Sequence, residues 1–213
     1  MTASSPEIST PPRRITILGS TGSVGCSTID LVERQPESFP VGALTAFSNV
    51  SLLAEQARKL QPELAVIGDE SRFKELKDAL SGSSVEVAAG RDALIEAAMR
   101  PSDFVMAAIV GAAGLEPTLA AVFRGATVGL ANKECLVCAG DLMKAEMEKS
   151  GATLLPVDSE HSAIYQVFDF DHREAVESII LTASGGPFRT YTQAQMENVT
   201  PEQAVAHPNW DMG

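Results

Sequence analysis

The chain has 213 residues, of which 45% are hydrophobic and 21% are charged, a composition typical of a globular protein with a packed core. Its formal net charge of −12 argues against nucleic acid or an anionic membrane as a partner, because no basic stripe offsets the general repulsion. No apolar run reaches the roughly 18 residues of a membrane span, and three cysteines without framework spacing favour a reduced, cytoplasmic setting.

An N-terminal tail, residues 1–12, is Pro-rich and is expected to be disordered. After it, short apolar runs alternate with amphipathic stretches of about ten residues. The apolar runs predict strands at 13–20, 41–47, 63–68, 84–90, 103–111, 126–132 and 152–157. The amphipathic stretches predict helices at 26–35, 49–61, 70–80, 91–100, 116–125 and 140–151. This alternation predicts a doubly wound, Rossmann-like α/β domain with a parallel sheet over residues 13–157.

The pattern changes after Val157. Residues 163–186 bring a dense mixture of aromatic and charged side chains and then a strand that ends in glycines. We expect residues 158–213 to form the beginning of a second, α+β domain. The ending, HPNWDMG, carries no closing helix, so a larger protein is expected to continue beyond it.

A glycine-rich turn follows the first predicted strand, in the stretch ILGSTGSVG. Gly19, Gly22 and Gly25 have the spacing G-x-x-G-x-x-G, which differs from the usual dinucleotide motif. Glycines there permit a tight bend and a close approach of a diphosphate, and the next helix offers free N–H groups to the anion. Ser20, Thr21 and Ser23 add hydroxyl donors. The turn predicts a dinucleotide site, against the alternative of a glycine turn without a ligand.

The end of the second strand bears on the choice of nicotinamide cofactor. Enzymes that use NAD usually carry a carboxylate there, which binds the ribose 2′-hydroxyl. This chain has Phe47, Ser48 and Asn49 instead, and the last two can donate hydrogen bonds to a 2′-phosphate. The sequence therefore favours NADP.

Two carboxylates, Asp158 and Glu160, follow the last predicted strand. If the backbone stays extended, both point to one side, with Cα atoms roughly 6–7 Å apart. Carboxylate oxygens suit hard divalent ions such as Mg²⁺ or Mn²⁺, although the spacing alone favours a solvated pair.

Six segments together resemble one enzyme family. ILGSTGSVG, VMAAIVGAAGL, LANKE, LLPVDSEHSAI, LTASGGPFR and HPNWDMG are similar to segments of the 1-deoxy-D-xylulose 5-phosphate reductoisomerases. The resemblance runs from about Arg14 to Gly213 and implies an NADPH- and divalent-metal-dependent enzyme of isoprenoid precursor biosynthesis. Such an enzyme rearranges and reduces its sugar phosphate substrate to 2-C-methyl-D-erythritol 4-phosphate. Members of the family are typically homodimers.

The resemblance also implies site residues. Asp158 and Glu160 would bind the metal and, with Lys133, form the catalytic set. The matching cofactor contacts are Gly19, Thr21, Gly22, Ser23, Val24, Ser48, Asn49, Asn132, Glu134 and Gly213. The matching substrate contacts are Lys133, Ser159, Glu160, Ser184, His207 and Trp210, of which Trp210 belongs to a flap segment.

The chain departs from the family pattern at several positions. Phe47-Ser48-Asn49 replaces a common Gly-Lys-Asn and removes a cation. Either Ser48 and Asn49 then contribute more to binding a 2′-phosphate, or Arg13 or Arg14 helps. The family's third metal ligand and its substrate-phosphate cluster would lie beyond Gly213. We therefore expect the chain to bind nucleotide better than metal, and not to turn over alone.

Two other interpretations remain open at this point. A semialdehyde dehydrogenase would use Cys135 as its nucleophile, for which an activated thiol is needed. A non-catalytic NADP-binding module would use the same fold without the chemistry. Cys135 and Cys138 also form a C-x-x-C pair, for which redox activity or metal binding is the less favoured explanation.

Overall fold

The computed structural model describes residues 11–182 and 186–206, which divide between two compact units, Met1–Asp158 and Ser159–Gly213. The first ten residues of the predicted tail therefore lie outside the described residues. Each unit is described by itself below.

The first unit contains one seven-stranded sheet in which every paired strand is parallel. The strands are β1 (Ile15–Leu18), β2 (Val41–Ala46), β3 (Leu64–Ile67), β4 (Glu86–Ala89), β5 (Phe104–Ala107), β6 (Thr127–Leu130) and β7 (Thr153–Pro156). Their order in the sheet is β4-β3-β2-β1-β5-β6-β7. The predicted doubly wound fold is confirmed, and all seven predicted strands are present.

Six helices connect consecutive strands. They are α1 (Ser23–Arg34), α2 (Val50–Leu60), α3 (Phe73–Ala79), α4 (Arg91–Met99), α5 (Leu115–Phe123) and α6 (Glu134–Ser150). Helix α6 begins six residues before the prediction, which placed its start at Gly140. A non-helical residue inside it, Ala139, explains the difference, because its backbone (φ −144°, ψ 30°) interrupts the periodicity after the first turns.

Two apolar clusters cover the two faces of the sheet. Alternate residues of a strand point to opposite faces, so Ile17 belongs to one cluster and Leu18 to the other. The first cluster includes buried side chains of α1, α2 and α3, and the second includes those of α4, α5 and α6. Strands β1, β2 and β3 are buried along their whole length, as expected for the centre of a parallel sheet.

Strand β7 lies at one edge of the sheet and ends in proline. The Val157 N–H donates to the carbonyl of Leu130 on β6. Successive backbone groups of a strand point in opposite directions, so the imide nitrogen of Pro156 faces the open edge, where a residue without an N–H is tolerated.

The second unit consists of short helical segments. These are α7 (Ser159–Val167), α8 (Gln193–Met196), α9 (Pro201–Val205) and a 3₁₀ turn at Arg173–Ala175. Thr192 and Thr200 each form a capping box at the start of α8 and α9. None of the described residues of this unit is buried.

The strand predicted before the glycines of the second unit is wrong over the described residues, because 176–182 contain no strand. Its apolar side chains are exposed, with Ile179 55%, Ile180 84% and Leu181 59% accessible. An isolated apolar segment cannot satisfy its backbone as a strand, since the ladder hydrogen bonds come from a neighbour.

Candidate functional site

The candidate site lies at the carboxyl edge of the sheet, where the strand order reverses. From β1 the chain proceeds to β2 on one side and returns to β5 on the other. The loops after β1 and β5 therefore diverge and leave a crevice, which is the usual ligand position in open α/β sheets. A cleft of about 240 Å³ occupies this place. Its lining residues are Gly22, Ser23, Val24, Ala108, Ile109, Val110, Ala131, Asn132, Lys133, Glu134 and Asp158.

The glycine turn has the close packing that a diphosphate site requires. Gly19 has a φ of +84°, and a Cβ built on it would lie 2.7 Å from the Ala108 carbonyl oxygen. A Cβ on Gly25 would lie 2.1 Å from the Gly19 carbonyl oxygen. Only glycine fits at these two positions without moving the backbone. The turn can therefore hold the first helix against the end of β1.

Helix α1 presents an uncapped N-terminus to the cleft. Its N-cap is Gly22, which makes no side-chain capping hydrogen bond, and its first turn contains no acidic residue. The first N–H groups of a helix have no acceptor within the helix, and its dipole favours an anion there. Ser23 is exposed, so its hydroxyl is accessible beside these N–H groups. These residues fit a dinucleotide diphosphate.

Ser20 is not one of the phosphate donors, which corrects the expectation for its hydroxyl. Its side chain is fully buried, and its Oγ donates to Gln56 Oε1 at 2.7 Å. Thr45 on β2 also holds the turn, because its Oγ1 accepts from the Gly19 N–H at 2.9 Å. Sequence reasoning missed Thr45 and Gln56. The available signal was a polar residue at an otherwise buried position of β2 and of α2.

The end of β2 carries no carboxylate, as the sequence indicated. Ser48 is exposed, and Asn49 caps helix α2 by accepting from the Leu52 N–H at 3.2 Å. The Asn49 Oδ1 atom is therefore engaged in the cap, and the amide nitrogen is the side-chain donor that can bind a ligand outside the helix. Phe47 beside them is 75% exposed.

Arg13 and Arg14 cannot supply the cation missing beside Ser48, which corrects that suggestion. Both precede β1, whereas Ser48 follows β2, so they lie at opposite ends of the parallel strands. A four-residue strand separates its amino end from its carboxyl end by about 13 Å. The Arg14 guanidinium instead forms an ion pair with Glu63, which precedes β3.

Asn132 shapes the cleft from within. Its side-chain nitrogen donates to the carbonyls of Ile109 and Gly111, and its oxygen accepts from the Cys135 N–H at 3.2 Å. The residue is 2% exposed, so these bonds fix the loop after β5 to the start of α6. Its predicted cofactor contact stays a prediction. Lys133 is exposed and Glu134 half-buried, both on the cleft wall.

The buried thiol of Cys135 argues against the semialdehyde dehydrogenase interpretation. The side chain is fully inaccessible, and burial raises the pKa of the Cys135 thiol. A thiol nucleophile needs a lowered pKa and access to its substrate. Cys138 is exposed and both thiols are free, so the C-x-x-C pair forms no disulfide.

The predicted geometry of Asp158 and Glu160 is wrong. The backbone is not extended there, because β7 ends at Pro156 and α7 begins at Ser159. An acidic residue before a helix and another in its first turn favour helix initiation, and this outweighs the continuation of the strand. Asp158 lines the cleft. Ser159 donates its hydroxyl to Glu160 Oε2 at 3.0 Å.

Within residues 11–182 and 186–206, no group of three or more His, Cys, Asp or Glu side chains is arranged to hold a metal ion. Asp158 and Glu160 still offer oxygen donors of the kind that Mg²⁺ and Mn²⁺ prefer. The assignment of these two residues as metal ligands stays a prediction, as does the substrate contact of Ser159. The predicted contacts of Ser184, His207, Trp210 and Gly213 lie outside the described residues.

None of the helices among the described residues is long and apolar enough to cross a membrane.

The chain matches two parts of one family. The profile of the 1-deoxy-D-xylulose 5-phosphate reductoisomerase family matches residues 15–140, and that of its C-terminal domain matches residues 154–213. The reductoisomerase of Rhodospirillum centenum is 63% identical over 201 residues, which cover 94% of this chain and 50% of the relative. That of Zymomonas mobilis is 58% identical over 95% of this chain and 52% of its own. The chain thus spans about half the length of these relatives.

Solved structures show the same fold. The Zymomonas mobilis reductoisomerase in complex with NADPH matches with a TM-score of 0.89 and 57% identity, over 92% of this chain and 52% of that one. A reductoisomerase in complex with NADPH, fosmidomycin and magnesium matches with a TM-score of 0.84 and 40% identity, over 94% of this chain and 52% of that one.

Proposed function

The chain belongs to the 1-deoxy-D-xylulose 5-phosphate reductoisomerase family, and on this premise we propose that it is the cofactor-binding part of such an enzyme. The complete protein would convert 1-deoxy-D-xylulose 5-phosphate to 2-C-methyl-D-erythritol 4-phosphate, with NADPH as reductant. The observation that carries the proposal is the cleft between the loops after β1, β5 and β6. It is lined by the uncapped N-terminus of α1, by Lys133 and by Asp158.

The chain's own residues would bind NADPH along the carboxyl edge of the sheet. The diphosphate would lie against the N–H groups of Ser23 and Val24, where the dipole of α1 favours an anion, while the Gly22 N–H donates to the Gly19 carbonyl within the turn. The 2′-phosphate would be bound by Ser48 and by the amide nitrogen of Asn49, because no carboxylate at the end of β2 repels it. The NADPH complex of the Zymomonas mobilis relative supports this choice of cofactor.

The second half of the site would serve the substrate. Lys133 is an exposed cation at the edge of the cleft, suited to an anionic sugar phosphate. Asp158 and Glu160 would hold Mg²⁺ or Mn²⁺, and a bound divalent ion would act as a Lewis acid on substrate oxygens. Magnesium is present in three matching reductoisomerase structures, which supports a divalent ion here. We further propose a cytoplasmic homodimer, an assignment that rests on family resemblance and cysteine usage.

The test uses a chain extended to the length of its relatives and follows NADPH oxidation with 1-deoxy-D-xylulose 5-phosphate. We expect oxidation that requires Mg²⁺ or Mn²⁺ and falls at least about 100-fold in Asp158→Ala and Glu160→Ala. Asp141→Ala is the matched control, because this carboxylate is fully exposed on α6. Oxidation without a metal, or full activity in both site variants, would contradict the proposal.

A binding measurement separates the cofactor from the chemistry. The 213-residue chain should bind NADPH by calorimetry and should show no turnover. Tight NADPH binding without oxidation by a folded, extended chain would refute the reductoisomerase activity and leave a nucleotide-binding module.

A further inference from the structure

Gln56 is a buried amide on a helix that otherwise packs apolar side chains. It lies in α2 with 5% of its surface exposed, three residues after Leu53 and next to Ala57, both fully buried. An amide at such a position is unfavourable unless its polar atoms are paired, and an apolar side chain would pack there without this cost. Its presence therefore indicates a specific hydrogen-bonding role.

Both ends of the Gln56 amide bind the same residue. Its Oε1 accepts from the Ser20 hydroxyl at 2.7 Å, and its Nε2 donates to the Ser20 carbonyl oxygen at 3.0 Å. Ser20 is fully buried, so water does not compete for these bonds. This pair, Ser20 with Gln56, fixes both the backbone and the side chain of Ser20.

Ser20 occupies the centre of the glycine turn. Its N–H donates to the Thr45 carbonyl at 2.8 Å, so β2 holds the turn in addition to Gln56. Gly25 packs directly on it, since a Cβ there would lie 2.6 Å from the Ser20 Cα. A shift of Ser20 would therefore move Gly25 and the first turn of α1, which carries the N–H groups facing the cleft.

We infer that Gln56 is a positioning residue for the cofactor's diphosphate: through Ser20 it holds the glycine turn so that the N–H groups of Ser23 and Val24 at the start of α1 face one anion. The inference rests on the proposed NADPH binding. Helix α2 then serves both the 2′-phosphate and the diphosphate. Asn49, beside the 2′-phosphate, caps its start, and Gln56, which holds the glycine turn, lies about 10 Å further along its axis.

The test compares two ligands on the 213-residue chain by calorimetry. NADPH contacts both the turn and the end of β2, whereas adenosine 2′-phosphate lacks the diphosphate and contacts only the latter. Gln56→Leu should weaken NADPH about tenfold and change adenosine 2′-phosphate by less than about twofold. A side chain with only a structural role would leave the ratio of the two affinities unchanged.

Two further variants keep the test decisive. Ser20→Ala removes the hydroxyl without changing the volume of α2, and it should weaken NADPH by severalfold. The double variant should be no weaker than Gln56→Leu alone, because the one bond that Ser20→Ala removes is already lost in Gln56→Leu. If Gln56→Leu does not fold, Ser20→Ala alone decides the outcome. Arg58→Leu is the control on the same helix: it removes the bonds to the Ala79 and Ser81 carbonyls and should leave both affinities unchanged.

The outcomes separate the inference from the proposed function. Unchanged NADPH affinity in folded Gln56→Leu or Ser20→Ala would overturn the positioning role and leave the function intact. An equal loss for both ligands would also overturn it. Failure of the wild-type chain to bind NADPH would overturn both.

Discussion

The unit Met1–Asp158 buries the strands β1, β2 and β3 along their whole length, whereas no described residue of Ser159–Gly213 is buried. Both units contain apolar segments, including Leu64–Ile67 in one and Ile179, Ile180 and Leu181 in the other. The difference is that β3 has a strand on either side and helices above and below. An apolar segment is thus stabilised by the elements that cover it, and its own sequence does not suffice.

Hydrogen exchange should show the largest contrast between the units. Amides of β1, β2 and β3 should exchange at least about 10³-fold more slowly than in the unfolded chain, because they open only on global unfolding. Amides of α8 and α9 should exchange within about tenfold of the unfolded rate. In a chain extended to the length of its relatives, residues 159–182 should gain protection. Equal protection of both units in the 213-residue chain would refute the comparison.

Truncation of one leucine in each unit sharpens the contrast. Leu64→Ala removes a fully buried side chain and should lower the free energy of unfolding by about 2–5 kcal/mol. Leu181→Ala removes a side chain that is 59% exposed and should change it by less than about 0.5 kcal/mol. Urea denaturation followed by circular dichroism measures both. A similar loss in the two variants would mean that Leu181 is covered in solution.

The glycine turn should be the least tolerant part of the first unit outside its core. In Gly25→Ala the new Cβ would meet backbone atoms, so we expect a loss of about 1–3 kcal/mol in stability and weaker NADPH binding. Gly140→Ala is the control, because a Cβ there meets nothing within 4 Å. Calorimetry measures NADPH affinity and urea denaturation measures stability in both variants. Equal values for Gly25→Ala and Gly140→Ala would contradict the prediction.

The buried thiol should give the smallest effect, visible as a pH dependence. Because burial raises the pKa of Cys135, its contribution to stability should be complete below about pH 8.5 and should decrease as the pH rises through the raised pKa. Wild-type and Cys135→Ala should therefore differ less in free energy of unfolding at pH 10 than at pH 7. Cys138→Ala, which removes an exposed thiol, should show the same dependence of the free energy of unfolding on pH as the wild type.

The sequence predicted the first unit well because its strands are covered on both faces. Continuous apolar runs identified all seven strands, and the glycine spacing located the turn. The details that it missed depend on partners distant along the chain. The hydroxyl of Ser20 was assigned to a phosphate, but it donates a hydrogen bond to Gln56, 36 residues later. Arg14 was offered to the cofactor, but it pairs with Glu63, which like Arg14 lies at the amino end of the parallel strands.

The prediction was weaker for the second unit for a related physical reason. The strand expected before Gly186 is absent from the described residues, because no neighbouring strand pairs with it there. An extended backbone would have pointed Asp158 and Glu160 to one side, but local helix-start signals placed Ser159 and Glu160 in α7. The same acidic residues can favour a helix start or a metal, and spacing alone does not decide between them.

Pro156 also limits how copies of this protein can associate. A parallel sheet with an open edge strand invites another chain to add a strand and begin an aggregate. At the end of β7 the outward-facing nitrogen carries no hydrogen, so a strand added there would lack one donor and would meet the pyrrolidine ring. At the other edge, β4 begins with the exposed, charged Glu86. Continuation of the sheet into a neighbouring copy is thereby disfavoured at both edges.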